Sequence, residues 1–376
     1  MEFELSEEQA LLRDTVRSAL TNAYDVEKLR AVTDTELGWS RDVWRSLAEI
    51  GILGLVFREE DGGMGAGPEE LSVVMTEIGA SLAPEPLLGS VVVPGSLVAR
   101  TADDTTRSEI VDGLSSGARL LAFAHNENRD RWPHAAVLTD GAATTATDGT
   151  ITGVKTLVDH GDVADTFVVS AREADGTVGL YLVPADAEGV TVTPYRTHDR
   201  RRGAQVEFTG TPGTRLGEGD ASQAITEVEI AAQSALCAEA VGAMSRALDL
   251  TTEYLKARKQ FGVPLSTFQA LSHRAADMYV QVELARSMST YLTASLADGD
   301  YDPITASRAK LQICRSGRHV GQEAIQMHGG IGMTAEYPVG HYASRLTAIS
   351  HTLGDADAHL AKLTGSVAEW KMVTVG

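Results

Sequence analysis

Hydrophobic periodicity changes twice along the 376 residues, and this alternation limits the fold more than any other property of the chain. Up to about Leu120 the apolar residues recur every three or four positions, as in Leu11, Leu12, Val16 and Leu20, then Trp44, Leu47 and Ile50, then Leu71, Val74, Met75 and Ile78. That spacing puts an apolar stripe on each of a series of helices. Gly51, Gly54 and the run Gly62, Gly63, Met64, Gly65 interrupt the pattern, and Pro84 with Pro86 break it after Leu82. Glycine and proline punctuate helices, so about four or five short ones joined by tight turns are expected.

From about residue 120 the texture shifts to short β-branched runs at 166–170, 178–183, 190–193 and 205–208, separated by Gly, Asp and Pro turns. These read as the strands of a small β domain. A long helical pattern rich in Ala, Leu and Met returns over 223–296, and two more helices are expected at 304–327 and 339–370. Their apolar faces point to a four-helix bundle. The expected fold class is α+β: an N-terminal helical domain over 1–119, a middle β domain over 120–217 and a C-terminal helical bundle over 218–376.

With 43% hydrophobic residues the chain has the apolar material for real cores. Its formal net charge of −20 opposes a phosphate backbone. The one dense basic run, Arg200, Arg201 and Arg202, lies among the turn-type residues His198, Asp199 and Gly203 and reads as a solvated turn. No nucleic-acid partner is expected. No apolar stretch reaches the roughly 18–20 residues of a bilayer span. The N-terminus is acidic where a signal peptide is basic. A cytoplasmic protein with no membrane partner is therefore expected. Cys237 and Cys314 both fall in helical segments, which fits a reduced compartment without disulfides. The histidines lack metal-ligand spacing, since His351 and His359 are eight apart and no cysteine or carboxylate pair completes a site; no metal is expected.

LSEEQALLRDTVR and GILGLVFREEDGGMG near the N-terminus, with KARKQFGVPLSTFQALSHRAADM and AIQMHGGIGMTAEYPVGHYASR near the C-terminus, resemble signatures of the acyl-CoA dehydrogenases, and the resemblance spans nearly the whole chain. It implies that family's fold: helices, then a β domain, then a helical bundle. It also implies the family's chemistry, the α,β-desaturation of an acyl-CoA. A carboxylate removes the α proton while FAD takes the β hydrogen as hydride, and electron-transfer flavoprotein is the expected electron acceptor. One scaffold hosts different chemistries or none, so each site position needs its own reading.

In the family the base usually lies about seventeen residues after the glutamate of an EYPV motif; here Glu336, Tyr337, Pro338 and Val339 match the motif, and the counted position is Leu353, followed by Gly354 and Asp355. Leucine cannot accept a proton. Some relatives place the base on the long helix, fourteen residues before an arginine that here is Arg246, and that position is Ala232. Loss of a positioned base typically costs about 10²–10⁴-fold in rate. Glu229, Glu239 and Asp355 lie near these positions, and each reads as a solvated or helix-end charge rather than as a substitute.

The resemblance implies two flavin half-sites. The ring is gripped by the β domain of the same subunit, through a TEPxxGSD-like loop and a WITNG-like strand end. Here the first region is FAHNENRDRWPHA, with no recognisable remnant. The second, GVKTLVDHGDVADTF, keeps Lys155, Gly161, Ala164 and Asp165 but has Leu157 for the Trp and Asp159 for the Thr. A carboxylate there opposes an anionic reduced flavin. Asp355, Ala356 and Asp357 replace Thr-Ser-Gln and oppose a pyrophosphate.

The ADP end is held in this family by the neighbouring subunit, through RKxFG and QxxGG elements. These survive as Arg258, Lys259, Gln260, Phe261 and Gly262, then Phe268 and Gln269, then Gln326, Gly329 and Gly330. An arginine pairs a phosphate, an aromatic ring covers an apolar cofactor face, and glycines let backbone amides approach phosphate oxygens. The resulting expectation is a subunit without a catalytic residue of its own that shares FAD with a homologous catalytic partner in a two-plus-two heterotetramer, the acyl-CoA lying in the partner's site. The resemblance is to the enzymes of actinobacterial steroid side-chain degradation, which implies a bulky polycyclic acyl group. Two alternatives stay open: an active homo-oligomeric flavoenzyme with a displaced base or base-free chemistry, and a flavin-free structural member.

Overall fold

A computed structural model describes residues 5–127 and 144–367. The N-terminal part holds six α-helices among the described residues: α1 (Glu7–Ala23), α2 (Val26–Thr33), α3 (Arg41–Glu49), α4 (Pro68–Ser81), α5 (Val93–Thr101) and α6 (Asp104–Ser115). Periodicity understated their number because the shortest, α2, buries only Leu29 and Thr33. Caps define these helices as much as stripes do. The side chains of Ser6, Asp25, Ser40 and Asp103 each accept a hydrogen bond from a backbone N–H in the first turn of α1, α2, α3 and α6. Helix α4 stops where Leu82 turns left-handed, at φ 55°, just ahead of Pro84.

The middle part is a sheet of β1 (Leu121–Ala124), β2 (Thr145–Thr147), β3 (Thr150–Asp159), β4 (Thr166–Arg172), β5 (Val178–Pro184), β6 (Val190–Arg196), β7 (Arg202–Pro212) and β8 (Thr214–Leu216). The order is β6-β7-β3-β2-β4-β5-β8, with β1 parallel to β4. The β-branched runs marked β4 to β7. They missed β3, whose pairing with β7 shifts register between Ile151 and Gly153 and again between Lys155 and Val158. Such bulges break the alternation by which a strand is read from sequence.

The C-terminal part begins with α7 (Ser222–Ala257). A tight hairpin follows, β9 (Lys259–Gln260) with β10 (Val263–Pro264), then α8 (Gln269–Ala297), α9 (Pro303–His328), α10 (Val339–Ile349) and α11 (Ala356–Ser366). The continuous pattern over 223–296 is thus two helices parted by the hairpin. The helix expected at 339–370 is likewise two, cut at 350–355, where Leu353 and Gly354 take left-handed backbone and Asp355 caps α11. Helices α7, α8 and α9 pack on one another, and α10 and α11 together complete the bundle against α9.

The bundle meets the N-terminal helices where α4 crosses α7. Any side chain at Gly79 would lie 1.9 Å from Glu239 O, and one at Gly242 would lie 1.9 Å from Thr76 O, so the crossing closes only with glycine on both helices. This crossing fixes the position of Glu239. Cys237 on α7 and Cys314 on α9 are buried and free. Among the described residues no helix is long and apolar enough to cross a membrane, and no group of three His, Cys, Asp or Glu could hold a metal ion.

Candidate active site and cofactor-facing loops

A cavity of about 440 Å³ opens between the N-terminal helices, the sheet and the bundle. Its walls include Pro86, Leu88 and Val93, Phe123 at β1, Leu157 and Asp159 at the end of β3, and Leu236 on α7. Both positions read as empty base positions, Ala232 and Leu353, line this one cavity. The loop that presents Leu353 is held firmly. The buried Lys310 Nζ donates to Ile349 O at 2.8 Å and to Gly354 O at 3.1 Å, and His359 Nε2 lies 3.0 Å from Leu353 O. The backbone that presents position 353 to the cavity is therefore held in place, and the side chain it carries is apolar.

The three nearby carboxylates have distinct fates. Glu239 is not a solvated charge: Arg345 Nε and Nη2 reach Glu239 Oε1 and Oε2 at 2.8 Å each, and Arg201 Nη2 reaches Oε1 at 2.9 Å. Burial alone would raise its pKa, but the two guanidinium groups hold it below the ordinary value, so it is no proton acceptor near neutrality. Asp355 is the N-cap of α11 and accepts from Ala358 N at 2.8 Å. Glu229 corrects the expectation of solvation a second time, because it is buried on α7 and lines the cavity.

Glu229 Oε1 lies 3.8 Å from His125 Nε2. Burial pushes the Glu229 carboxyl up to about 8, against the pull of Lys362. Burial and then the Lys155 charge push His125 down to about 3. A raised carboxyl value means that the stability tied to the bound proton is full below the unfolded value of about 4.3 and is lost as pH rises toward about 8. Glu229→Gln is accordingly expected to stabilise the protein by about 1–3 kcal/mol at alkaline pH and by little in mild acid. Thermal midpoints of both proteins across that range measure it, and a pH-independent difference would contradict a buried, proton-holding Glu229.

At the sheet end, a Cβ at Gly89 would meet Asp159 Oδ2 at 2.3 Å, so the Asp159 carboxylate lies directly on the Gly89 backbone, and its Oδ1 is 3.0 Å from His160 Nδ1. Leu157 and His160 take left-handed φ values of 52° and 50°. The family-like residues retained here support the sheet. Asp165 Oδ2 accepts from Leu120 N at 2.7 Å and pins the start of β1, while Gly161 fits against Val158, and Ala164 is buried. Lys155 is fully buried and reaches Glu127 Oε1 at 2.6 Å. Glu127 lies in the stretch that showed no remnant of the first flavin loop, so sequence reasoning missed it; 28 residues from Lys155, it had no short-range signal to give it away. Residues 128–135 of that stretch lie outside the described residues.

The reading of Arg200, Arg201 and Arg202 as a solvated turn is half corrected. The turn joins β6 to β7, and Arg200 pairs Asp34 at 2.5 Å on the outside. Arg201 and Arg202 point inward instead, line the cavity, and sit by Glu239 and Asp162 respectively. The buried Glu239 and the partly buried Asp162, contributed by distant segments, draw them in.

The second constellation lies elsewhere. Arg258, Lys259, Gln260, Phe261, Gln269, Gln326, Gly329 and Gly330 are all exposed and Phe268 is partly buried, and none of them lines the cavity. Phe261 is 92% exposed at φ 53° and makes an edge contact with Phe268. Phe261 and Gly262, at φ 53° and 83°, form the two-residue loop of the β9–β10 hairpin, a turn that requires positive φ at both positions. Tyr254, one turn before Arg258, packs on His328 with ring centroids 4.5 Å apart. His328 immediately precedes Gly329, so this stack brings the hairpin and the Gly-Gly turn to the same end of the bundle. A Cβ at Gly262, Gly329 or Gly330 would meet nothing within 4 Å, which leaves the backbone there open to a ligand or another chain. The set offers one guanidinium, one ammonium, accessible amides and an uncovered ring, the chemistry that suits a phosphorylated aromatic cofactor.

Residues 6–118 match the acyl-CoA dehydrogenase N-terminal domain model, and residues 232–367 match the C-terminal domain model. The chain is 33% identical over 370 residues to the acyl-CoA dehydrogenase IpdE2 of Mycolicibacterium smegmatis, covering 96% of this chain and 100% of the relative. It is 28% identical over 383 residues to the acyl-CoA dehydrogenase FadE27 of Mycobacterium tuberculosis, covering 98% and 99%. Among solved structures, a variant of the Tcur3481-Tcur3483 steroid ACAD superposes with a TM-score of 0.88 at 32% identity, over 96% of this chain and 98% of that one. The ChsE4-ChsE5 complex of Mycobacterium tuberculosis superposes with a TM-score of 0.89 at 27% identity, over 99% and 100%. Sequence signatures, the three-part architecture and these full-length matches agree, and the chain belongs to the acyl-CoA dehydrogenase family.

Proposed function

We propose that this chain is a degenerate subunit of a heteromeric, FAD-dependent acyl-CoA dehydrogenase and completes the FAD site of a homologous catalytic subunit. One observation carries the reading: both base positions, Ala232 and Leu353, face the chain's own cavity with apolar side chains, while the cofactor-type residues from Arg258 to Gly330 stand exposed and apart from it. FAD, when bound, supplies the acceptor for the β hydrogen. Toward it, Arg258 would neutralise a phosphate, Phe261 would cover an apolar face, and the open amides at Gly329 and Gly330 would bond phosphate oxygens. The cis cavity fits the isoalloxazine poorly, because Asp159 and Leu157 stand at the strand end and Asp357 adds charge to the groove floored by Gly317, Gly321 and Gly340. The catalytic partner would bind the acyl-CoA, supply the base and pass electrons to electron-transfer flavoprotein.

Two of the similar solved structures are named as pairs of chains, and one as a steroid enzyme, which supports a two-plus-two assembly acting on a bulky steroid side-chain thioester. The test is visible absorbance of the protein purified alone and then co-expressed with a neighbouring complete acyl-CoA dehydrogenase. The expected result is a colourless protein alone and about one FAD per two chains together; one FAD per chain in the protein alone overturns the reading. A second reading, an active enzyme with a displaced base, has Glu229 in its favour, since it is buried in the cavity one turn from Ala232 and holds its proton up to about 8. It requires dehydrogenase turnover and flavin in the chain alone, with turnover abolished and flavin retained in Glu229→Gln.

A further inference from the structure

The cavity contains a polar constellation that the proposed role leaves unused. Lys155 Nζ donates to His125 O at 2.9 Å, Glu127 Oε1 at 2.6 Å and Ser170 Oγ at 3.2 Å. An ammonium only donates, so Ser170 Oγ accepts from Lys155; among the described residues its own hydrogen has one acceptor in reach, His125 Nδ1 at 2.8 Å, and donation there satisfies it. The neutral imidazole then carries its hydrogen on Nε2. That atom is buried and has no hydrogen-bond partner among the described residues. It faces Glu229 Oε1 at 3.8 Å, beyond hydrogen-bond reach. Glu229 is itself without a hydrogen bond to any described residue and lines the cavity, and the surrounding walls are apolar at Phe123, Ala232 and Leu236. A buried histidine N–H and a buried carboxyl converging on an apolar cavity are costly unless a ligand satisfies them.

We infer that the cavity of this subunit binds a neutral, largely apolar carbonyl compound, whose oxygen is held jointly by His125 Nε2–H and the Glu229 carboxyl. A carbonyl oxygen offers two lone pairs to two donors and brings no hydrogen of its own that would need an acceptor. Asp159 at the same walls opposes an anionic ligand, and the guanidinium groups of Arg201 and Arg345 there are already paired with Glu239 and Asp199. The volume of about 440 Å³ is large enough to admit a ring system. The groups facing Glu229 are His125 from the end of β1 and Lys362 from α11, with Lys155 behind the imidazole. Neutral Glu229 donates to the carbonyl; once ionised it cannot. The inference rests on the reading that FAD is not held in cis, because the ring system and an isoalloxazine would compete for the same space.

The test uses the full-length chain purified alone, with its flavin content measured first, and cyclododecanone as the probe in equilibrium dialysis. Saturable binding is expected, weakened about tenfold or more by Glu229→Leu. Glu229→Gln, whose amide still donates, is expected to stay within about threefold of the parent. Affinity of the parent should fall about tenfold from about pH 6 to about pH 9, and that of Glu229→Gln should not change. The infrared carbonyl stretch of the bound ketone should lie below that of the ketone in hydrocarbon, and the shift should shrink in Glu229→Leu. Equal affinity of the parent and Glu229→Leu, or no saturable binding to a flavin-free chain, overturns this inference and leaves the proposed function standing. FAD bound by the chain alone overturns both.

Discussion

Arg345→Leu is expected to lower the stability of the protein by about 3–5 kcal/mol at neutral pH, the largest single effect on folding that the structure indicates. The guanidinium is buried against two carboxylates, Glu239 through both oxygens and Asp199 through Nη1 at 2.8 Å. Leucine would leave Arg201 as their shared partner, at 2.9 Å from Glu239 and 4.0 Å from Asp199. Burial would raise the Asp199 carboxyl, but Arg345 and then Arg201 overcome it and hold it at about 2. The sign follows: stability from this group is full above the unfolded value of about 3.9 and is lost only as pH falls through about 2. In the variant both carboxylates protonate at higher pH, so the gap between parent and variant should be widest near neutrality and close in acid. Urea midpoints over that range test this. The double variant Arg345→Leu with Glu239→Leu should recover much of the loss, since an apolar pair of similar volume often replaces a buried ion pair at no cost. A single variant as stable as the parent would mean that the network contributes nothing.

The largest expected effect on activity lies at the β9–β10 hairpin and the Gly-Gly turn. In the co-expressed complex, Arg258→Ala combined with Phe261→Ala is expected to weaken FAD retention by about 100-fold or more, with loss of the visible flavin spectrum on dilution. An arginine–phosphate contact and an aromatic cover each contribute on the order of 1–3 kcal/mol, and one factor of ten corresponds to about 1.4 kcal/mol. Folding should change little, because Phe261 is 92% exposed and Arg258 is held through its backbone, N–H to Tyr254 O at 2.8 Å. Excess FAD should restore turnover if the loss is one of affinity. Unchanged FAD retention by a complex with this double substitution would remove the basis for assigning these residues to the partner's cofactor.

The two predictions rest on very different grounds. Arg258, Phe261, Gln326, Gly329 and Gly330 could be picked out from the chain alone, because their meaning lies in short spacings within a segment and in signatures that survive unchanged. The same holds for the helical stripes and for Ala232 and Leu353 at the two counted positions. Short-range regularities of this kind depend on neighbours within a few turns, which the order of residues states directly.

Burial is decided by residues that the order of the chain keeps apart. Glu239 and Arg345 are 106 positions from each other, and Glu127 and Lys155 are 28 apart. Read singly, Glu239, Arg201 and Glu229 look like solvated charges, since a lone charge in a sequence is most often that. Folding closes α4 onto α7 through Gly79 and Gly242, brings the β6–β7 turn against α10, and removes water from all three. Whether each then became an ion pair or a proton-holding acid depended on what arrived beside it. Two arginines reached Glu239 and lowered its pKa, while Glu229 received a neutral imidazole at 3.8 Å and kept its proton. The sequence by itself determined the family, the order of helical and β stretches, and the apolar residues Ala232 and Leu353 at the two counted positions; only the tertiary structure decided which charges lost their water, because desolvation and Coulomb attraction depend on three-dimensional distance.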